Sequence, residues 1–187
     1  MTFNEEKKIE RCLRSLNWVD EIVVLDFFSM DQTVEICRRY TTKVHQLPWP
    51  NNYAKQRQIA DQFASNDWIL ALDADEVVTK GLKNDIMSLI DQGPRADCYG
   101  IPRWEYLSGK FIMSGGWYPQ HKFILYRKSL GAWAGGPAHL FFQSRGKVNY
   151  LKNPILHDGT LTKRIVLPSK KHHKPSKESL SYAFSTF

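Results

Sequence analysis

The sequence holds little cysteine and no long apolar run. Its three cysteines are widely separated and form no CxxC pair, which argues against a disulfide framework or a zinc site and favours a reducing compartment. No apolar stretch approaches the roughly 20 residues that cross a bilayer, and the opening residues MTFNEEKK lack the apolar core of a signal peptide. These absences predict a cytoplasmic protein without a membrane-spanning helix.

Acidic residues are outnumbered by basic ones. The 187 residues include 26 Lys or Arg and 19 Asp or Glu, which gives a formal charge of +7 and a pI near 9.3. Such an excess predicts an anionic partner, and charge alone does not choose among nucleic acid, a nucleotide, a phosphorylated lipid and a membrane surface. The hydrophobic share of 42% and the aromatic share of 13% indicate that the bulk of the chain folds.

Apolar residues recur at helical spacing between short β-branched runs. In the first helix Ile9, Cys12, Leu13 and Leu16 share one face, and Asn4 is the expected N-cap. Short uninterrupted runs such as EIVVLD are typical of parallel strands covered on both faces. The alternation predicts helices over 5–16, 33–40, 53–64 and 82–90, and strands over 21–26, 42–47 and 68–72.

The pattern changes after Cys98. Short aromatic runs punctuated by glycine and proline, beginning with CYGIPRWEYL, predict antiparallel additions to the sheet. The predicted fold class is therefore α/β, with a mostly parallel sheet flanked by helices and antiparallel strands in the C-terminal half. Residues 161–187 are rich in Lys, His, Ser and Pro and are interpreted as a basic, mobile tail.

A strand is expected ahead of the first helix but is missing from the sequence. Doubly wound sheets open with a strand, whereas this chain continues directly from Met1 into TFNEE. Two interpretations are open: the start is assigned too late, or the sheet lacks a strand that is usually central.

Carboxylates follow two of the predicted strands. EIVVLD ends in Asp26, and WILALD ends in Asp73, with Asp75 and Glu76 directly behind. Ligands of open α/β sheets bind beyond the carboxyl ends of the strands, and clustered carboxylates raise each other's energy unless a cation neutralises them. The pattern predicts Mg²⁺ or Mn²⁺ together with substrate phosphates. The alternative is that Asp73 and Asp75 only cap the next helix and stay hydrated.

Several motifs occur together in a fixed order. They are TFNEEKKIERCLRSL, VDEIVVLDFFSMDQT, LDADE, GGWYPQHKFILYRK and WAGGPAH. In order and spacing, over about 2–157, they resemble the family-2 glycosyltransferases of the GT-A fold, and most closely the bacterial lipopolysaccharide inner-core β-glucosyltransferases. The resemblance implies one GT-A (Rossmann-like) domain over 1–160, with a nucleotide-binding half of about 1–95 and an acceptor half of about 96–160.

The resemblance also implies an activity. This is the inverting transfer of a hexose, with glucose favoured, from a nucleotide diphosphate sugar to a lipopolysaccharide-core or related glycolipid acceptor. The reaction would take place at the cytoplasmic face of the membrane, with Mg²⁺ or Mn²⁺ as cofactor. Asp75 matches the metal-binding residue of the D-x-D motif. The nucleotide-sugar site is matched by Asn4, Glu5, Asp26, Arg57 and Asp73.

The chain departs from the family pattern at the position of the expected catalytic base. Leu140 follows His139 where the family's H-E motif has glutamate, and leucine cannot take a proton from an acceptor hydroxyl. His139 and Asp158 are the remaining candidate bases, although a histidine in such apolar surroundings is more often a packing residue. The alternative function is a catalytically impaired relative that binds nucleotide or glycan. Bulky Phe27 and Phe28 also replace small residues beside the nucleoside.

Two further segments have alternative interpretations. Trp117 and Tyr118 are candidates to stack on an acceptor sugar, or they belong to the core. The basic segment 163–177 either attaches the protein to an anionic membrane surface or is a solvated tail. Because acids occupy the expected ligand edge, nucleic acid is not an expected partner.

Overall fold

The computed structural model describes residues 1–107, 110–112, 120–136 and 139–158. Helices and strands alternate through the first half, and strands dominate the second. The helices are α1 (Ile9–Arg14), α2 (Thr33–Arg38), α3 (Tyr53–Phe63) and α4 (Lys80–Asp91). The strands are β1 (Val24–Asp26), β2 (Val44–Gln46), β3 (Trp68–Leu70), β4 (Glu76–Val78), β5 (Cys98–Leu107), β6 (Lys110–Ile112), β7 (Gln120–Arg127), β8 (Gly131–Gly136), β9 (His139–Ser144), β10 (Val148–Tyr150) and β11 (Ile155–Asp158).

Side-chain caps determine where the longer helices begin. The Asn52 side chain accepts a hydrogen bond from the Lys55 N–H at the start of α3, and the Thr79 hydroxyl accepts one from the Leu82 N–H at the start of α4. The prediction that Asn4 caps α1 is wrong, because that helix begins after Lys8. Asn4 has a left-handed φ of 53° and bonds a neighbouring loop instead.

The described strands form three groups. β1 and β2 pair in parallel. The largest group has the order β3-β7-β5-β11-β4, with β6 and β10 also paired to β5, and β8 pairs with β9 as a hairpin. The α/β class and the antiparallel additions from the second half are confirmed. The sheet is mixed, because β7 and β11 lie antiparallel beside β3 and β4.

Two clusters of buried apolar side chains lie on opposite parts of this framework. The larger is built around α4 and the main sheet and includes Leu82, Ile101, Tyr126 and Ile155. The smaller joins α1, α2 and β1 through Ile9, Leu13, Val24, Ile36 and Cys37. The β1–β2 pair thus has its own core, separate from that of the main sheet.

The structure bears on two of the sequence predictions, one about disulfides and one about membrane-spanning helices. All three cysteines are buried and free, which confirms that they form no disulfide. Across the described ranges, none of the helices has the length and apolar character needed to cross a membrane.

Candidate active site

A row of ionisable side chains crosses the main sheet where β4, β11 and β5 meet. His157 on β11 lies opposite Glu76 on β4 and opposite Glu105 on β5. Residues directly opposite one another project from the same face of a sheet, so the strand register brings these three side chains together. The His157 ring bonds Glu105 through Nδ1, and its Nε2 lies 3.3 Å from Oδ2 of Asp75.

Asp75 is held between two nitrogen-bearing side chains. Its Oδ2 is 3.6 Å from the Lys8 ammonium, in addition to the His157 contact. Burial would raise the pKa of Asp75, but the hydrogen bond and charge of His157, together with Lys8, lower it. Burial would lower the pKa of His157, but its bonds to Asp75 and Glu105 raise it to about 9. The carboxylate and the imidazolium therefore stabilise each other's charged forms.

Asp73 is paired with two cations from other elements. Arg57 of α3 approaches its Oδ1 to 2.5 Å, and Lys122 of β7 lies 3.2 Å from its Oδ2. Arg57 is buried, donates a further hydrogen bond to the Leu72 carbonyl at 3.2 Å, and lies over the Trp133 ring. Burial opposes ionisation of Asp73, but these two cations hold its pKa well below the usual range.

Glu76 is a buried carboxylate that bonds two other members of the cluster. It is fully buried, and its Oε2 accepts the backbone N–H of Asp73 at 2.9 Å. Its Oε1 accepts from the Lys122 ammonium at 2.6 Å. Because both oxygens are engaged, Glu76 orients the Asp73 turn and Lys122 and is not free to bind a ligand.

Asp26 lies in a different kind of environment at the end of β1. It is fully buried and accepts hydrogen bonds from the Ser29 N–H at 3.0 Å, the Ser29 hydroxyl at 2.5 Å and the Gln46 amide at 3.0 Å. Asn4 connects to the same loop, since its N–H donates to Ser29 Oγ and its Oδ1 accepts from the Met30 N–H. The first loop of the chain is thereby bonded to the loop after β1.

Glu5 follows Asn4 in the first loop of the chain. Its N–H donates to the Thr33 hydroxyl at 2.8 Å. Burial raises the pKa of Glu5, and the negative charges of Asp75, Asp31 and Asp73 raise it further against the opposing effect of Lys8. The charges of acids in the loop after β1 and in the Asp73–Asp75 turn therefore both act on the Glu5 carboxylate.

The structure describes the two candidate bases, Asp158 and His139, to different extents. The Asp158 N–H donates to the Asp75 carbonyl at 3.1 Å, and its carboxylate accepts from the Arg11 guanidinium at 2.8 Å. Asp158 therefore borders the cluster. For His139 the structure describes only the backbone, which pairs with Gly136 in the β8–β9 hairpin. Leu140, the next residue, packs against the larger core.

The structure brings some of the predicted site residues together and leaves others apart. Arg57, Asp73, Asp75 and Asp158 share one cluster. Asn4 and Asp26 form a second group, and the Glu5 N–H bonds the Thr33 hydroxyl at the start of α2. Trp117, Tyr118 and the basic segment 163–177 lie outside the described residues, so the acceptor and membrane assignments stay predictions.

The sequence did not predict most of the basic residues of this site, nor the acidic residue Glu105. Alternation along β5 would place Arg103 and Glu105 on one face, but nothing in the sequence tells which strands flank β5. Those partners are decided by tertiary folding, and strand β4 itself is not visible in the apolar pattern. The missed residues are Lys8, Arg103, Glu105, Lys122 and His157.

Asp75 and His157 are the residues whose donor atoms fit a divalent cation. Within the described ranges, no group of three or more His, Cys, Asp or Glu side chains is arranged to hold a metal ion. Mg²⁺ typically takes one or two carboxylates while phosphate oxygens and waters complete its shell, so a two-residue site fits a cation that is bound jointly with a diphosphate. His157 must lose its proton to become a ligand.

Comparison with known proteins identifies the family. The profile of the family described as Glycosyl transferase family 2 matches residues 1–151. The chain belongs to this family. Division of the chain at residue 160 into a domain and a tail stays a prediction.

The matches to individual relatives cover only part of each relative's length. An uncharacterized glycosyltransferase of Rickettsia felis is 41% identical over 87 residues, which is 46% of this chain and 30% of the relative. The SPbeta prophage-derived glycosyltransferase SunS of Bacillus subtilis is 34% identical over 89 residues, which is 46% of this chain and 21% of the relative. The chain therefore spans about a third or less of the curated relatives it matches.

A solved structure shows the same fold. The crystal structure of S. aureus TarS residues 1–349 superposes with a TM-score of 0.60 at 20% identity, covering 84% of this chain and 58% of that chain. At this level of identity the likeness concerns the fold. It agrees with the α/β architecture of a mixed sheet flanked by helices.

Proposed function

We propose that this chain is the donor-binding part of an inverting glycosyltransferase that moves a hexose from a nucleotide diphosphate sugar to a glycolipid acceptor. The observation that carries the proposal is the cluster at Asp75, where a carboxylate with a lowered pKa lies beside Lys8 and His157 directly before β4. Membership of family 2 supports a transfer reaction. The motifs favour glucose and a lipopolysaccharide-core acceptor at the inner face of the cell membrane.

The two carboxylate groups have separate tasks in this proposal. The nucleoside binds at Asp26, Asn4 and Glu5, and Asp73 lies near the ribose or sugar. Because Asp26 is already satisfied by Ser29 and Gln46, a nucleoside donor group has to replace one of these bonds. The loop after β1 is the element that would move, since its Phe28 has a φ of 56°, a conformation that is rarely stable for a bulky residue.

The diphosphate binds at the Asp75 cluster. Asp75 and His157 would hold Mg²⁺ or Mn²⁺, which when bound neutralises the charge that develops on the leaving diphosphate. Lys8 and Lys122 add positive charge to the same region. Lys8, which lies beside Asp75, would be placed to contact a phosphate oxygen.

Asp158 is the candidate base to be tested first. Its backbone is bonded to that of Asp75, which keeps its carboxylate next to the diphosphate site. The Asp158 carboxylate lies 2.8 Å from the Arg11 guanidinium, and an ionised carboxylate is the form that accepts a proton. His139 is the second candidate.

Calorimetry with a panel of nucleoside diphosphates tests the donor site. Affinity should rise at least ~10-fold when Mn²⁺ replaces excess chelator, and turnover should appear with at least one nucleotide sugar and a glycolipid acceptor. The proposal would be contradicted if nucleoside diphosphate affinity were the same with Mn²⁺ and with chelator and if no donor gave turnover.

One observation favours a second candidate function, a nucleotide- or glycan-binding relative with impaired catalysis. Leu140 lies opposite Gly135 in the β8–β9 hairpin and packs against the larger core, where the family resemblance places a glutamate. Nucleotide binding without turnover, together with turnover gained by Leu140→Glu, would select this function.

A further inference from the structure

Glu105 is a buried carboxylate of β5 that the proposed function does not use. It is 8% exposed and lies directly opposite His157 of β11 in the strand register. Its Oε2 contacts Nδ1 of the His157 ring. A buried charge is costly unless it is paired and hydrogen-bonded, so the partners of this carboxylate bear on its role.

The contact with Glu105 decides which ring nitrogen of His157 carries a hydrogen. An ionised carboxylate can only accept hydrogen bonds, so Nδ1 of His157 has to be the donor. In the neutral ring the lone pair then lies on Nε2. Nε2 is 3.3 Å from Oδ2 of Asp75. The contact therefore directs the lone pair toward the carboxylate that the proposed function assigns to the cation.

Arg103 holds the other oxygen of Glu105. It lies two residues earlier on β5, on the same face of the strand, and its guanidinium forms an ion pair with Oε1 of Glu105. The guanidinium also donates a hydrogen bond to the Gln120 side chain at 3.3 Å, and its Nη1 lies 4.0 Å from Oε1 of the buried Glu76. Glu105 is thus fixed between Arg103 and His157, with one oxygen for each.

An arrangement of this kind affects how well a histidine binds a metal ion. A group that bonds the second nitrogen of a metal-binding histidine fixes the orientation and the tautomer of the ring, and its loss typically costs roughly 10- to 100-fold in metal affinity. Side chains anchored on strands hold such geometry more precisely than side chains on loops. Glu105 and His157 both lie on paired strands of the main sheet.

We propose that Glu105 is a positioning residue, which holds the His157 ring with Nε2 directed at the cation of the proposed diphosphate site. Arg103 keeps Glu105 in place for this task. In this role Glu105 acts through His157 and contacts neither the cation nor the phosphates. The inference rests on the proposed function, in which Asp75 and His157 hold Mg²⁺ or Mn²⁺, and it adds the residue that determines which nitrogen of His157 is available.

Substitution Glu105→Gln tests this role because it keeps the size of the side chain and changes the bond to the ring. Arg103 has only donors, so the glutamine amide should turn its oxygen to Arg103 and its NH₂ group to Nδ1. Nδ1 then becomes the acceptor, and the ring hydrogen lies on Nε2, where it blocks a bond to a cation. Glu21→Gln is the matched control, since Glu21 pairs with Lys43 outside this cluster.

The measurement is pulsed electron paramagnetic resonance of Mn²⁺ bound together with inorganic pyrophosphate. Pyrophosphate contains no nitrogen, so nitrogen coupling to Mn²⁺ has to come from the protein, and His157→Gln should abolish it. Glu105→Gln should lose this coupling and bind Mn²⁺ at least ~10-fold more weakly than the parent, whereas Glu21→Gln should keep both. The double variant Arg103→Met with Glu105→Gln should regain the coupling, because the amide is then free to turn its oxygen to Nδ1.

The outcomes separate this inference from the proposed function. Unchanged nitrogen coupling and Mn²⁺ affinity in Glu105→Gln would overturn the inference alone, as would a parent that binds Mn²⁺ with pyrophosphate but shows no nitrogen coupling. A loss of coupling that persists in the double variant would show that Glu105 supports the local fold and not the orientation of His157. A parent that binds no Mn²⁺ would contradict both the inference and the metal-dependent donor site.

Discussion

Asp26 and Asp75 both follow strands of the first half, but their carboxylates are stabilised by different kinds of partner. Asp26 is fully buried and accepts hydrogen bonds from Ser29 and Gln46, which are neutral side chains and backbone. Asp75 lies beside Lys8 and His157, and the hydrogen bond and charge of His157 lower its pKa against the opposing effect of burial. Directional hydrogen bonds stabilise the Asp26 carboxylate, whereas charged partners stabilise the Asp75 carboxylate.

This difference bears on what each site is proposed to recognise. At Asp26 a carboxylate acceptor held in a fixed orientation would select a ligand by its hydrogen-bonding pattern, as a nucleoside requires. Charged groups attract phosphates and cations, and their interactions respond to salt and to the protonation of His157. The contrast leads to four predictions, which begin with the largest expected effect.

Substitution Asp75→Asn should lower kcat/KM for nucleotide-sugar turnover by about 10²- to 10³-fold, because the charged ligand of the cation is lost. Nucleoside affinity, measured by calorimetry, should stay within about twofold, since the Asp26 site is separate. Glu35→Gln, on the exposed face of α2, removes the same charge and should leave turnover unchanged. A parallel loss of nucleoside affinity would break the distinction between the two sites.

Substitution Arg57→Met should lower the free energy of unfolding by about 2 to 3 kcal/mol, because it removes the Arg57 hydrogen bond to the Leu72 carbonyl and the buried cationic partner of Asp73. Urea unfolding measures this change. Arg39→Met removes a cation from an exposed pair with Glu35 and should cost less than about 0.5 kcal/mol. Equal losses for the two variants would show that the charged site is held by other contacts.

Salt should distinguish the two sites without any substitution. Raising NaCl from about 0.05 to about 0.5 M should weaken nucleoside diphosphate binding by about tenfold, because Lys8 and Lys122 are screened. Binding of the parent nucleoside should change by less than about twofold. Equal salt dependence would mean that both ligands depend on the same charges.

Asp61 provides a smaller test of buried carboxylates outside both sites. It accepts a hydrogen bond from Tyr126 at 2.8 Å, and burial raises its pKa to about 6. A folded-state pKa above the unfolded value gives stability that is present below about pH 4 and lost as pH rises through about 6. Asp61→Asn should therefore gain about 1 kcal/mol relative to the parent between about pH 4 and pH 7.

Thermal unfolding across this pH range measures the Asp61 effect. Asp91→Asn at the exposed end of α4 is the control and should show no such trend. A stability difference that is constant with pH would contradict the role assigned to burial.

The helices of the first half were predictable because their signals are local. Capping residues and apolar spacing act within a few neighbouring residues, so α3 and α4 appear close to their predicted limits. The position of α1 was less predictable, since Asn4 bonds the loop after β1 rather than capping the helix. That choice depends on a loop 26 residues away in sequence.

The carboxylates of the candidate site were visible in the sequence, but their partners were not. Acids after apolar strands mark a ligand edge because strands of one sheet end together. The cations come from elsewhere: Lys8 precedes α1, Arg57 belongs to α3, and Lys122 belongs to β7. No local pattern links residues this far apart. These protein cations already neutralise part of the charge of the acids, so the acids do not require a metal for that purpose alone.

By itself the sequence determined the α/β class, the order of most helices and strands in the first half, the position of Asp26 at the end of β1, and the position of Asp73 and Asp75 after β3. Each of these follows from periodicity and from residues close together in the chain. Tertiary structure alone decided that β11 lies between β4 and β5, which brings His157 opposite Glu76 and Glu105. Strand order depends on which buried surfaces pack best across the whole fold, and a one-residue change of register would turn His157 to the other face of the sheet.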